Sequence, residues 1–173
     1  MVDNKDEVYP KIVATHIGEQ LDISQQALHK MAKKGGIVLP KIGNRSYFDH
    51  NAARTTLDLS FRKQKIAFQI VKGGTGKTTC LHNVACCASA YGAKVLVIDV
   101  DPQGNLTDSF GYNHSEPPVL IDIVKKSASI SDAIVNVAPG IDLLPSRIEN
   151  VILDNTLAIQ ANSLDRLFER MLK

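Results

Sequence analysis

Apolar positions along residues 66–173 fall into two kinds of pattern, continuous runs and helical stripes. Ile66-Ala67-Phe68-Gln69-Ile70-Val71 and Lys94-Val95-Leu96-Val97-Ile98-Asp99 are near-continuous runs, the form expected of strands buried on both faces. Between them Leu81, Val84, Ala85 and Ala88 recur at helical spacing and predict one buried stripe on a helix from Thr78 to Tyr91. Gly92 stands where a left-handed stop belongs. Such a helix rises roughly 21 Å, and the second strand returns roughly 20 Å. Asp99 and Asp101 are therefore expected at the edge that holds the turn after the first strand, the edge where βαβ units bind ligands. Leu120–Lys126 predicts a short helix, and Ile130–Val137 a helix or a strand. Ile141–Ser146 predicts a third buried strand ending at Pro145. Ser163–Lys173 reads as a helix whose face of Leu164, Leu167, Phe168 and Met171 is core packing. The order predicts an α/β fold, a parallel sheet with flanking helices.

Residues 1–65 carry a different pattern. Ala14–Leu21 predicts a short helix, Asp22-Ile23 a turn, and Ser24 the N-cap of a second helix through Lys33. Ile17, Leu21, Ile23, Ala27 and Leu28 supply packing between the two helices, and Gly35-Gly36 ends the second. Residues 37–48 predict a small hairpin turning at Gly43-Asn44. Gln25, Gln26, His29, Lys30 and Lys33 then project from the second helix, side chains suited to base edges and phosphates, with Lys41 and Arg45 on the hairpin. The bland alternative is a helical hairpin with a solvated basic face.

Charge separates the two parts. Residues 1–65 hold 11 Lys and Arg against 7 Asp and Glu, whereas residues 66–173 hold 9 against 11. Between Ile23 and Phe48 there are five basic residues and no acidic one. A basic amino-terminal module beside a slightly acidic remainder is the asymmetry of a DNA-tethered enzyme. The expected organisation is a helix-turn-helix module over residues 1–48, a linker over 49–65 that is helical in part and increasingly basic, and a nucleotide-binding portion over 66–173. No apolar run approaches the ~18 residues that span a membrane, and no signal peptide is evident, so a cytoplasmic protein is expected. Cys80, Cys86 and Cys87 share one predicted helix, lack metal-ligand spacing and are expected to be buried reduced thiols.

The candidate chemistry lies at the turn between the first run and the striped helix, Val71-Lys72-Gly73-Gly74-Thr75-Gly76-Lys77-Thr78-Thr79. Strand, glycine-rich turn and helix together make a phosphate cradle. Gly73, Gly74 and Gly76 let backbone N–H groups approach phosphate oxygens, and the helix N-terminus adds its field. Lys77 is placed to reach the β- and γ-phosphates, and the Thr78 hydroxyl to bind Mg²⁺. The ordinary pattern needs glycine at position 71, where this chain has Val71, and a second lysine, Lys72, precedes the double glycine.

Lys72-Gly73-Gly74-Thr75-Gly76-Lys77-Thr78-Thr79, followed by Asp99-Val100-Asp101-Pro102-Gln103-Gly104-Asn105, resembles the ParA-type partition ATPases of the deviant-Walker P-loop class. The resemblance implies ATP·Mg²⁺ held by residues 72–79, with Lys72, Lys77 and Asp101 catalytic. Lys72 would reach across an ATP-sandwich homodimer, Asp101 would position or deprotonate the attacking water, and Asp99 would sit with Thr78 near the Mg²⁺. It also implies hydrolysis of ATP to ADP and phosphate, a centromere-binding ParB-type partner, nucleoid association, and DNA segregation of plasmid or chromosome. The amino-terminal part resembles MerR-like and winged helix-turn-helix modules, which implies operator binding and autoregulation. The resemblance covers the first half of the ATPase domain. The strand that would carry a Walker B aspartate falls after Lys173, so the chain alone, whether a fragment or naturally shortened, is expected to bind nucleotide weakly and to be inactive in hydrolysis. The alternative is a DNA-binding transcriptional regulator with a vestigial, non-hydrolysing P-loop half.

Overall fold

The computed structural model describes residues 9–69, 72–112, 118–159 and 163–171. It divides into two units, Met1–Val95 with Ala138–Ile141, and Leu96–Val137 with Asp142–Lys173.

In the first unit a short strand β1 (Ile12–Val13) leads into α1 (Ala14–Leu21). α1 ends because Asp22 takes the left-handed conformation (φ 54°) and hands its N–H back to the Gly18 carbonyl. α2 (Gln25–Lys34) begins where the Ser24 hydroxyl accepts the Ala27 N–H at 3.2 Å, which satisfies one of the donors a helix start leaves unpaired. Lys33 and Lys34 lie in its last turn, against the negative end of the helix dipole. A hairpin follows, β2 (Lys41–Ile42) and β3 (Arg45–Phe48), with Ile42 opposite Arg45 across the Gly43-Asn44 tip. β3 also pairs antiparallel with β1, Ile12 opposite Phe48, so the sheet order is β1-β3-β2.

The stretch expected to be a linker helical in part opens on its helix, capped at Asp49. That residue caps α3 (His50–Leu57) through its side chain, 2.8 Å from the Ala52 N–H. Ala52, Ala53 and Leu57 then join Ile17, Leu28, Ala32 and Phe48 in one buried cluster. The face of α3 is built from small residues, so apolar periodicity undercounts it. Chain without regular structure begins at Asp58 and runs to Gln69. The predicted strand over 66–71 is accordingly not formed over residues 66–69, where Ile66 is 64% exposed, and Ile70 and Val71 lie outside the described residues. An apolar run becomes a strand only where a neighbour pairs its backbone, and no described strand pairs with these residues. Beyond the glycine-rich turn, α4 (Lys77–Ala90) closes the helical part of this unit.

The second sheet, most of whose residues lie in the second unit, has β4 (Val95–Ile98), β5 (Val135–Ala138) and β6 (Ile141–Leu144) in the order β4-β6-β5. Val95 donates to Gly140 and Asp99 to Leu144, an equal advance on both strands, so β4 and β6 run parallel. The two-residue link from β5 to β6 makes those two an antiparallel hairpin. Ile130–Val137, left open between helix and strand, is both: α7 (Ile130–Ala133), capped by Ser129, passes into β5. The remaining elements are α5 (Asn105–Ser109), α6 (Leu120–Val124), a 3₁₀ turn over Ile148–Ile152, α8 (Leu153–Ile159) and α9 (Leu164–Met171). Val119, Leu120, Ile121, Leu144, Leu153, Leu157 and Leu167 form the core of the second unit, with Ile98 and Phe168 packed against it. Of the predicted stripe on the last helix, Leu167 is buried; the side chains of Leu164 and Met171 lie outside the description, as do Leu172 and Lys173.

Candidate nucleotide and nucleic-acid surfaces

The glycine-rich turn stands open at the start of α4. Lys72 to Gly76 are exposed, and Lys77 and Thr78 are half-buried. Gly76 occupies the N-cap with φ 80° and supplies no side chain, so the N–H groups of the first helical turn are left for a ligand or water. Lys77 Nζ donates to the Lys72 carbonyl at 3.4 Å, and Thr75 Oγ1 to the same oxygen at 3.2 Å. Both bonds are long and solvent-exposed, and an anion with more negative charge displaces them easily. Open amides, a helix N-terminus and a lysine that, among the described residues, bonds one carbonyl fit a triphosphate.

α4 does not bury the predicted stripe whole. Ala85 is buried with Ser89 and Ala90, Leu81 and Ala88 are half-buried, and Val84 is 47% exposed. The expectation of buried thiols fails for the same reason: Cys80 and Cys87 are exposed and free on the uncovered side of the helix. Cys86 is half-buried, and burial, with Cys87 second, pushes its thiol above the ordinary value.

The two aspartates, in the second unit, differ in kind. Asp99 is 4% exposed and ends β4. Its Oδ2 accepts from the Thr107 hydroxyl (2.8 Å) and the Thr107 N–H (3.0 Å), and its Oδ1 from the Asp101 N–H (3.2 Å). Burial raises its carboxyl above the usual range, and the Thr107 bonds pull the other way. Asp101 is exposed and starts the turn, its Oδ1 accepting from Gln103 at 3.0 Å. Thr107 Oγ1 also receives the Ser146 N–H at 2.9 Å, tying α5 to the end of β6. A cavity of about 360 Å³ opens here, lined by Gln103, Gly104, Asp108, Tyr112, Ser146 and Arg147 among others. Sequence reading missed Thr107, because a threonine eight positions after an aspartate carries no periodic signal.

The predicted DNA-facing residues are all at the surface. Gln25, Gln26, His29, Lys30 and Lys33 are exposed on α2, while Leu28 and Ala32 point into the core. Lys41 and Arg45 are exposed on the hairpin. Among the described residues no group of histidine, cysteine and acidic side chains is arranged to hold a metal by itself. No helix among them is long and apolar enough to cross a membrane.

Comparison with known proteins places this geometry. Residues 63–173 match the AAA_31 family, described as an AAA domain. The chain is 39% identical over 77 residues to the chromosome partitioning protein ParA of Caulobacter vibrioides, covering 43% of this chain and 29% of that one. It is 35% identical over 86 residues to the sporulation initiation inhibitor protein Soj of Bacillus subtilis, covering 49% and 34%. Among solved structures, the ATP complex of a single-residue variant of Cyanothece McdA superposes with a TM-score of 0.51 at 32% identity, over 54% of this chain and 36% of that one. The chain thus spans about a third of the length of these relatives. It belongs to the AAA_31 family, and its residues 63–173 are ParA-like.

Proposed function

We propose that the chain is the nucleotide-binding and DNA-binding portion of an ATP-dependent partition protein. The observation that carries this reading is the open N-terminus of α4, with exposed glycines and Lys77 held, among the described residues, by the Lys72 carbonyl at 3.4 Å. ATP would lie against residues 72–79, its β- and γ-phosphates taken by Lys77 and the loop amides, with Gly73, Gly74, Thr75, Gly76 and Thr79 around them. Thr78 and Asp99 are the side chains proposed to hold Mg²⁺, which when bound neutralises charge on those phosphates. In hydrolysis a water oxygen bonds to the γ-phosphorus as the bond to the bridging oxygen of ADP breaks, and Asp101 orients that water or takes its proton. Lys72 acts in trans in an ATP-bound homodimer.

Residues 1–48, extended by α3, are proposed to bind DNA, with α2 in the major groove and Lys41 and Arg45 on the flanking phosphates, and to repress the chain's own operon. A ParB-type protein is the proposed stimulating partner, and the cytoplasmic nucleoid the proposed location. One observation favours a second reading, a regulator with a vestigial phosphate loop: residues 66–69, ahead of the loop, form no strand.

Binding of a fluorescent ATP analogue with Mg²⁺, wild type against Lys77→Ala, separates the two. A charge-assisted bond of about 1.5–3 kcal/mol predicts a loss of roughly 10- to 150-fold. Equal binding by both proteins, or none by a folded wild type, refutes the nucleotide reading and leaves the regulator.

A further inference from the structure

The segment expected to be a linker makes two side-chain hydrogen bonds to backbone carbonyls at and just beyond the end of α4. We propose that α3 is a coupler that carries the nucleotide state of the phosphate loop to the DNA-facing helix α2, through His50 and Arg54 clamped on the end of α4. The proposal rests on the nucleotide and DNA reading above.

His50 and Arg54 stand four residues apart and so share one face of α3. His50 is 5% exposed and donates from Nδ1 to the Ser89 carbonyl at 3.1 Å. Arg54 Nη1 donates to the Gly92 carbonyl at 3.0 Å. The Ser89 carbonyl, in the last turn of α4, also accepts the Gly92 N–H at 2.8 Å, and the Gly92 carbonyl follows just beyond the helix end, where the dipole favours the Arg54 cation. The Ser89 hydroxyl continues the chain of contacts, donating to the Pro139 carbonyl at 2.6 Å.

Two glycines permit the approach. A Cβ at Gly92 would stand 2.7 Å from the backbone N and Cα of Arg54, and one at Gly140 would fall on the His50 ring. Both also hold positive φ, 92° and 75°, so a side chain at either is excluded twice over. Loose linkers do not require such clearances.

The other faces complete the path. α4 is a rod of roughly 21 Å with Lys77 and Thr78 in its first turn and Ser89 in its last. α3 also buries Ala52, Ala53 and Leu57 in the cluster that holds Leu28 and Ala32 of α2. A displacement of α4 by bound phosphate is therefore delivered to α2 through packed side chains and two directional bonds, since a close-packed interior transmits strain.

Coupling between two ligands is a ratio of affinities and must be reciprocal. The test measures the affinity of a short nonspecific fluorescein-labelled duplex with and without saturating ATP·Mg²⁺, and of the ATP analogue with and without duplex. In the wild type each ligand is expected to change the other's Kd by the same factor, about fivefold or more. Arg54→Ala, on an exposed side chain, and His50→Ala should bring that factor to within about twofold of unity while either ligand alone binds as before. A ratio preserved in Arg54→Ala and in a folded His50→Ala overturns the coupler. So does a wild type that binds both ligands independently, which would leave the proposed function standing. A wild type that fails to bind the analogue sinks both.

Discussion

Thr107→Val tests the buried network around Asp99 most directly. The substitution keeps the shape of the side chain and removes only the hydroxyl. Two bonds go with it, the 2.8 Å donation to Asp99 Oδ2 and the acceptance of the Ser146 N–H at 2.9 Å. The first is a bond to a charged group, about 1.5–3 kcal/mol. The second leaves a buried amide without its partner, about 1–3 kcal/mol. Because the two share an atom they do not add fully, and a loss of about 3–5 kcal/mol is expected near neutral pH. With a urea m-value of about 2 kcal/mol per molar, the midpoint falls by roughly 1.5–2.5 M.

The loss should depend on pH, and its sign is fixed. Burial raises the Asp99 carboxyl above its unfolded value, and the Thr107 bonds lower it. A raised carboxyl binds its proton more tightly folded than unfolded, so stability declines as pH climbs from the unfolded value through the folded one. Removing the hydroxyl raises the folded value further, which extends that decline in the variant to higher pH. The gap between the proteins is therefore larger at neutral pH than in acid. Urea unfolding followed by far-ultraviolet circular dichroism under both conditions measures it. Amide exchange at Ser146 gives a local check, and Thr107→Ser should recover most of the stability. A neutral-pH loss under about 1 kcal/mol, or a gap larger in acid, refutes the account.

Gly18→Ala should destabilise the first unit by about 1–3 kcal/mol, the usual range for overpacking, because the new Cβ would stand 2.6 Å from the Ile23 carbonyl oxygen. A thermal melt unchanged by the substitution would show that the turn after α1 relaxes without cost. Duplex affinity should fall with salt at a log–log slope of roughly −0.9 per phosphate contact, and Lys30→Ala should reduce the slope by about one contact. A flat response removes DNA from the surface of α2.

What the sequence made legible was local chemistry. The left-handed Asp22, the Ser24 cap and the Gly43-Asn44 tip stand where turn and capping preferences put them, because each depends on a few adjacent residues. The glycine-rich turn into α4 was legible for the same reason. Longer-range features were not. The run at 66–71 reports an ability to be buried, not the presence of a neighbouring strand, and no described strand pairs residues 66–69. His50 and Arg54 meet partners 39 and 38 residues away, and nothing in the local pattern marks those partners. α3 is the helical part expected of the linker, but its packing was not legible, because its buried face is His50, Ala52, Ala53, Thr56 and Leu57, mostly small or polar side chains.

Glycines need two kinds of explanation, and one of them here has neither within the chain. Gly18, Gly92 and Gly140 are crowded by neighbouring atoms, and Gly36, Gly43, Gly74, Gly76, Gly104 and Gly111 hold positive φ. Gly35 is in van der Waals contact with the α2 backbone and Thr55. Gly73 has nothing within 4 Å of its Cβ position and no positive φ. Folding therefore gives no reason for a glycine at 73. Gly73→Ala should leave stability unchanged or raise it by about 0.4–1 kcal/mol, since alanine narrows the unfolded ensemble. If the reason is the approach of phosphate oxygens to the backbone, the same variant loses affinity for the ATP analogue while its duplex affinity without nucleotide stays at wild type. A destabilised Gly73→Ala would place the reason inside the fold. A stable variant with full ATP affinity would show that the phosphates never come close to residue 73, and would move the proposed contacts onto Gly74, Gly76 and Lys77 alone.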